Sequence, residues 1–104
     1  MTLGEKQRLF VRLVADLIKF AYDSGYELTF GDAWARSGHM ENSNHYIRLA
    51  IDLNLFKDGL YLTTTEAHES LGVYWKSLHP ECRWGGDFKK KDGNHYSIIY
   101  QGTA

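Results

Sequence analysis

Five histidines, thirteen acidic residues and a single cysteine are the side chains of this 104-residue chain that could hold a metal. One cysteine, Cys82, excludes an internal disulfide and a multi-cysteine zinc site, so any metal must be held by imidazole and carboxylate. His45, Asp52 and His95 could supply two imidazoles and one carboxylate, the ligand count that leaves a catalytic metal an open position for water. Context raises this set above the others. Asp52 falls within the most apolar alternating run of the chain, where a buried carboxylate must be paired, hydrogen-bonded or bound to metal. His95 begins a second alternating run, where a side chain is held more rigidly than on a free loop. The spacing sets a geometric condition. Residues 45 and 52 are seven apart, and an uninterrupted strand would put them on opposite faces. Sharing one ion therefore requires a turn or bulge near Tyr46, or a His45 that precedes the strand. His39 reads as a loop residue near that proposed site, His68 as lying opposite the apolar stripe of a helix, and His79 as a helix-end residue before Pro80.

The run Ser43-Asn44-His45-Tyr46-Ile47-Arg48-Leu49-Ala50-Ile51-Asp52-Leu53 resembles the Ser-x-His-x-x-Gly-x-Ala-x-Asp-Leu signature of the zinc D-alanyl-D-alanine carboxypeptidase and L-alanyl-D-glutamate endopeptidase family. A second block is similar to the family's C-terminal signature: Trp84-Gly85-Gly86-Asp87-Phe88, then Asp92-Gly93-Asn94-His95-Tyr96. The resemblance runs from about Phe30 to Ile99. It implies a zinc ion held by His45, Asp52 and His95, with Asp92 as the catalytic acid/base and Asp87 as its internal rival. It also implies a hydrolase of bacterial peptidoglycan, with the Hedgehog/DD-peptidase-like fold. An Asp rather than a Glu at position 92 resembles the phage endolysin subgroup, which favours the L-alanyl-D-glutamate bond. The alternatives are a D-alanyl-D-alanine carboxypeptidase, or a non-catalytic virion or binding module of the same fold. The signature's Gly is replaced by Arg48, and the place of an expected upstream Arg is taken by Ala35, one residue before Arg36. Arg36 and Arg48 are therefore rival substrate-binding residues. Ser43 is expected to meet the substrate or orient a ligand, and Trp84 either lines the cleft or packs over backbone.

These side chains need a frame. Thr2 and Glu5 form a capping-box pattern, after which Leu9, Phe10, Leu13, Val14, Leu17, Ile18 and Ala21 repeat at helical spacing as far as Ser24-Gly25. Tyr26, Leu28 and Phe30 alternate with Glu27 and Thr29 as in a half-buried strand, and residues 31–44 are polar like a connecting loop. A core strand is expected from Ile47, with Ile47, Leu49, Ile51, Leu53 and Leu55 on one face and Arg48, Ala50, Asp52 and Asn54 on the other. Asp58-Gly59 signals a hairpin to Leu60-Tyr61-Leu62. Thr63 and Glu66 suggest another capping box ahead of a helix carrying Ala67, Leu71, Tyr74, Trp75 and Leu78, ended by Pro80. A loop from Trp84 to Gly93 leads to a closing strand through Tyr96, Ile98 and Tyr100. The expected class is α+β, a small antiparallel sheet flanked by helices, in one domain over residues 1–104.

The formal net charge of -1 gives no global field for holding a polyanion, so neither nucleic acid nor a membrane surface is expected as a partner, and Lys89-Lys90-Lys91 reads as a solvated loop face. No 18-residue apolar segment or basic-then-apolar leader occurs. A monomer is expected, made in a host cytoplasm without its own signal and acting on the cell wall.

Overall fold

The first helix, α1 (Leu3–Asp23), starts where Thr2 Oγ1 accepts from the Glu5 amide at 3.1 Å and the Glu5 carboxylate accepts from the Thr2 amide at 2.9 Å. This reciprocal cap satisfies two amides that the helix cannot, and Gly25, at a φ of 90°, turns the chain out of the other end. The computed structural model describes residues 1–39 and 42–104, so Met40 and Glu41 of the expected 31–44 loop lie outside the described residues. After α1 come β1 (Glu27–Phe30), β2 (Ala50–Lys57), β3 (Leu60–Leu62), α2 (Glu69–Leu78), β4 (Cys82–Trp84) and β5 (His95–Ile98). Short 3-10 turns occupy Asn44–Ile47, Glu66–His68 and Gly85–Asp87.

All strand pairs are antiparallel. The order is β1-β2-β5-β4, with β3 folded back on β2 through Asp58 and Gly59, whose φ of 51° and 79° suit the tight turn their types predict. The protein is thus α+β, a small antiparallel sheet with its helices packed on it. Leu49, Ile51, Leu53 and Leu55 point to one side with Tyr96 and Ile98, where they form one contiguous core with Phe10, Leu13 and Leu17 of α1 and Leu71 and Trp75 of α2. Trp75 is fully buried and its Nε1 donates to the Arg83 and Ser97 carbonyls at 2.9 and 3.0 Å, tying α2 to β4 and β5. Alternation then puts Asp52, Asn54 and Phe56 of β2 on the other side of the sheet.

Several local expectations change. Ile47 and Arg48 are not strand residues: Ile47 ends a 3-10 turn, and Arg48 has a left-handed φ of 60°, so it does not share Asp52's face. Phe30, at the end of the edge strand β1, is exposed rather than half-buried. Thr64, not Thr63, caps the second helical segment, its Oγ1 accepting from the Ala67 amide at 3.2 Å. The opening 3-10 turn rotates His68 inward, so it is buried with its Nδ1 2.8 Å from the Tyr96 hydroxyl. Strand β4 was hidden because three residues show too little alternation to reveal a strand.

Candidate metal centre

His45 reaches the sheet by a turn. Ser43 Oγ accepts from the His45 amide at 3.3 Å and starts the 3-10 turn, while Asn44 Nδ2 donates to the Ile98 and Thr103 carbonyls at 2.9 and 2.8 Å. The Leu49 amide then bonds the Asn44 carbonyl at 2.9 Å, and left-handed Arg48 reverses the chain into β2. The break near Tyr46 that the seven-residue spacing demands is this turn, and it frees His45 from the parity of the strand. Asp52 and His95 meet more simply, as directly opposed residues of the antiparallel β2–β5 pair.

The three side chains converge. Asp52 Oδ1 lies 3.2 Å from His45 Nε2 and 3.7 Å from His95 Nδ1. His45 and His95 are 2% and 5% exposed, and the Asp52 side chain 19%. Asp52 Oδ1 is buried without a hydrogen-bond partner, an expensive state for a carboxylate oxygen. Burial, followed by the neighbouring His45, pushes the His95 imidazole down to about 4, so it is neutral at physiological pH and has a lone pair to donate. A divalent cation would satisfy the orphaned Asp52 oxygen, and the ligand atoms lying within 4.8 Å of one another put Asp52 with His39 and His45 in one group and with Asp92 and His95 in another, so His45 and His95 meet at Asp52 rather than in a single group.

Asp92 approaches from a tight loop. Its amide donates to the Gly85 carbonyl at 2.9 Å, and its own carbonyl accepts from the His95 amide at 3.1 Å. A Cβ at Gly85 would collide with the Asp92 carbonyl, so only glycine lets the two loops come this close. Asp92, Asp52 and His95 offer ligand atoms within 4.8 Å of one another. Partial desolvation and then the Asp52 charge hold the Asp92 carboxyl above its ordinary pKa, favouring its protonated form. Asp87 instead pairs with Lys76 at 2.7 Å on the surface, which separates it from this centre.

Trp84 is 6% exposed and does not line the cleft, contrary to one of its two expected roles. Its ring lies against Gly72 and Gly86, where any Cβ would strike it, and its Nε1 donates to the Gly93 carbonyl at 2.8 Å. It supports the loop that carries Asp92. Arg36 and Arg48 are also displaced from the expected role: their guanidinium carbons lie 5.2 and 4.6 Å from the Trp34 ring centre, outside the cavity at the metal centre. That cavity, about 540 Å³, is lined by Ser43, His45, Asp92 and His95, with Phe88 as its apolar wall, and its cations among the described residues are Lys90 and Lys91.

His39, expected in a loop near the site, comes closer than that expectation, onto His45 itself. The Tyr46 hydroxyl accepts from the His39 amide at 2.9 Å and donates to its carbonyl at 2.7 Å. This clamp stacks the His39 ring on His45, with centroids 4.1 Å apart, while Nε2 meets Asp32 Oδ2 at 2.8 Å. His39, His45 and Asp52 form a second group with ligand atoms within 4.8 Å. No periodic pattern announces such a residue, because its place depends on the Tyr46 hydroxyl reaching back across seven residues.

The sequence pattern of a family described as D-alanyl-D-alanine carboxypeptidase matches residues 36–98. A search of curated proteins returns no match. Among solved structures, the fold is similar to that of the Serratia marcescens L-Ala D-Glu endopeptidase ChiX, with a TM-score of 0.72 and 17% sequence identity over 94% of this chain and 86% of that one.

Proposed function

Because the chain belongs to the D-alanyl-D-alanine carboxypeptidase family, and is therefore a peptidase, we propose that it is a zinc enzyme hydrolysing a stem-peptide bond of bacterial peptidoglycan, most directly L-alanyl-D-glutamate. The carrying observation is the convergence of Asp52 Oδ1 on two imidazole nitrogens at 3.2 and 3.7 Å, with Asp92 beside them. His45, Asp52 and His95 would hold the zinc, which when bound polarises the scissile carbonyl and makes water acidic enough to attack near neutral pH. Asp92 takes the proton of the attacking water as the C–O bond forms, and delivers it to the departing amine as the C–N bond breaks. Its raised pKa suits the second half of that task, because a carboxyl that keeps a proton longer is a better acid near neutrality. Ser43 borders the cavity and shapes the His45 turn, and Lys90 and Lys91 supply positive charge for an acidic stem peptide.

Asp at position 92 and the fold shared with an L-Ala D-Glu endopeptidase support the endopeptidase reading, and an endolysin-type role on the cell wall extends it. The family's description favours a second reading, removal of a terminal D-alanine. Digestion of purified murein separates the two. New L-alanine C-termini paired with D-glutamate N-termini are expected, whereas released free D-alanine would replace the first reading by the second. Equal clearing of murein by wild type, Asp92→Ala and His95→Ala would defeat both.

A further inference from the structure

The sheet face that carries Asp52 continues past the metal centre. Along β2 it presents Asp52, Asn54 and Phe56, with Thr29 and Tyr61 opposite the last two on the neighbouring strands. Here lies a second cavity of about 210 Å³, bordered by Asn54, Tyr61, Thr63, Thr65 and Asn94, which meets the first along Lys91 and Asp92. Away from Lys91 and Asp92, which it shares with the first, its polar lining is amides, hydroxyls and His68, with Tyr61 55% exposed at its edge and its ring stacked on Phe56. The Tyr61 hydroxyl touches Asn54 Oδ1 at 3.4 Å, and Asn54 Nδ2 touches Thr29 Oγ1 at 3.3 Å, both loose contacts on groups that can exchange partners.

Uncharged amides and hydroxyls beside an exposed aromatic ring suit a ligand with many hydroxyls, amide groups and one apolar face. We infer that this second cavity binds the amino sugar of the glycan strand, next to the cleaved bond. The inference rests on the peptidoglycan reading for its geometry. In the L-alanyl-D-glutamate bond only one residue, about 3.5 Å of chain, separates the scissile carbonyl from the sugar's lactyl group. Asn54 follows Asp52 by two strand positions, about 7 Å, so the sugar falls where the second cavity begins. Lys90 borders the first cavity and Lys91 the junction of the two, where the acidic remainder of the stem lies.

The binding test needs no catalysis. The disaccharide of N-acetylglucosamine and N-acetylmuramic acid, titrated into the whole protein and followed by nuclear magnetic resonance, is expected to shift the side-chain amide signals of Asn54 and Asn94 and the ring signals of Tyr61. Tyr61→Ala and Thr63→Ala are each expected to weaken binding about tenfold, the effect of losing one aromatic contact or hydrogen bond. Shifts absent at millimolar disaccharide, or confined to other surfaces, would overturn the sugar site and leave the peptidase reading standing. Kinetics give a second arm. The ratio of kcat/KM for a muramyl peptide over the same peptide without sugar is expected near ten in the wild type and near one in Tyr61→Ala. A wild-type ratio of one overturns the inference, while no hydrolysis of either substrate overturns the peptidase reading instead.

Discussion

Asp92 is held three residues from His95 by a loop whose amides and carbonyls cross-bond, so its carboxyl stays beside Asp52 and His95 without a regular element beneath it. Changing it to Asn preserves size and removes the proton carrier. Asp92→Asn is expected to lower kcat about 100- to 10,000-fold while zinc content stays at the wild-type value, measured by stem-peptide hydrolysis alongside metal analysis. His45→Ala is expected to lose the zinc itself, so the two variants separate proton transfer from metal binding. Zinc lost equally from both would reject the division of roles. At this scale two imidazoles, a strand carboxylate and a turn carboxylate were legible in the sequence as types and spacings, and the structure brings His45, His95 and Asp92 each near Asp52. It could not exclude Arg36, Arg48 and Trp84 from the cavity, since what a long side chain touches depends on neighbours distant in sequence.

The turn from Asn44 to Arg48 converts a sequence that alternates like a strand into a corner. Arg48 takes a left-handed conformation that costs an ordinary residue about 1 kcal/mol, and its guanidinium over Trp34 returns about 0.5–1 kcal/mol. The two nearly cancel. Arg48→Gly is therefore expected to melt within a few degrees of the wild type and to bind zinc normally. Arg48→Val loses the Trp34 contact and brings a β-branched residue to a positive φ, so its Tm is expected to fall by about 4–8 °C. Thermal melts monitored by circular dichroism decide this, and a large loss in Arg48→Gly would show that the arginine does more than tolerate the corner. The helices and the long strand were legible because their periods persist over many residues, and the hairpin because Asp58-Gly59 is a turn signal of its own. The corner was visible only as a conflict, in that His45 and Asp52 could not share a face of one strand.

For the whole molecule, burial makes acid the weak point of the fold. His68 and His95 are both pushed down to about 4 from 6.5, chiefly by desolvation. Between those values the unfolded chain takes up protons that the folded chain refuses. Their contribution to stability is therefore fully present above pH 6.5 and is lost as pH falls toward 4, by up to roughly 3 kcal/mol for each group. Metal-free protein is expected to melt at a markedly lower temperature at pH 4.5 than at pH 7. His68→Phe, which fills the site without titrating, is expected to flatten that dependence. A Tm that does not change with pH would contradict the buried, neutral state of both rings.

The sequence by itself determined the α+β class, the two helices, the Asp58-Gly59 hairpin and the donor types of the candidate metal centre, because periodicity, turn chemistry and donor type are local properties. Only the tertiary structure decided the rest: that Asp52 and His95 are cross-strand partners, that His39 is stacked on His45, that Trp84 supports the Asp92 loop from inside, and that both arginines lie on Trp34. Each of these depends on which distant segments share a face of the sheet. That pairing is settled by burying one apolar layer against two helices, and by no feature of the residues taken one at a time.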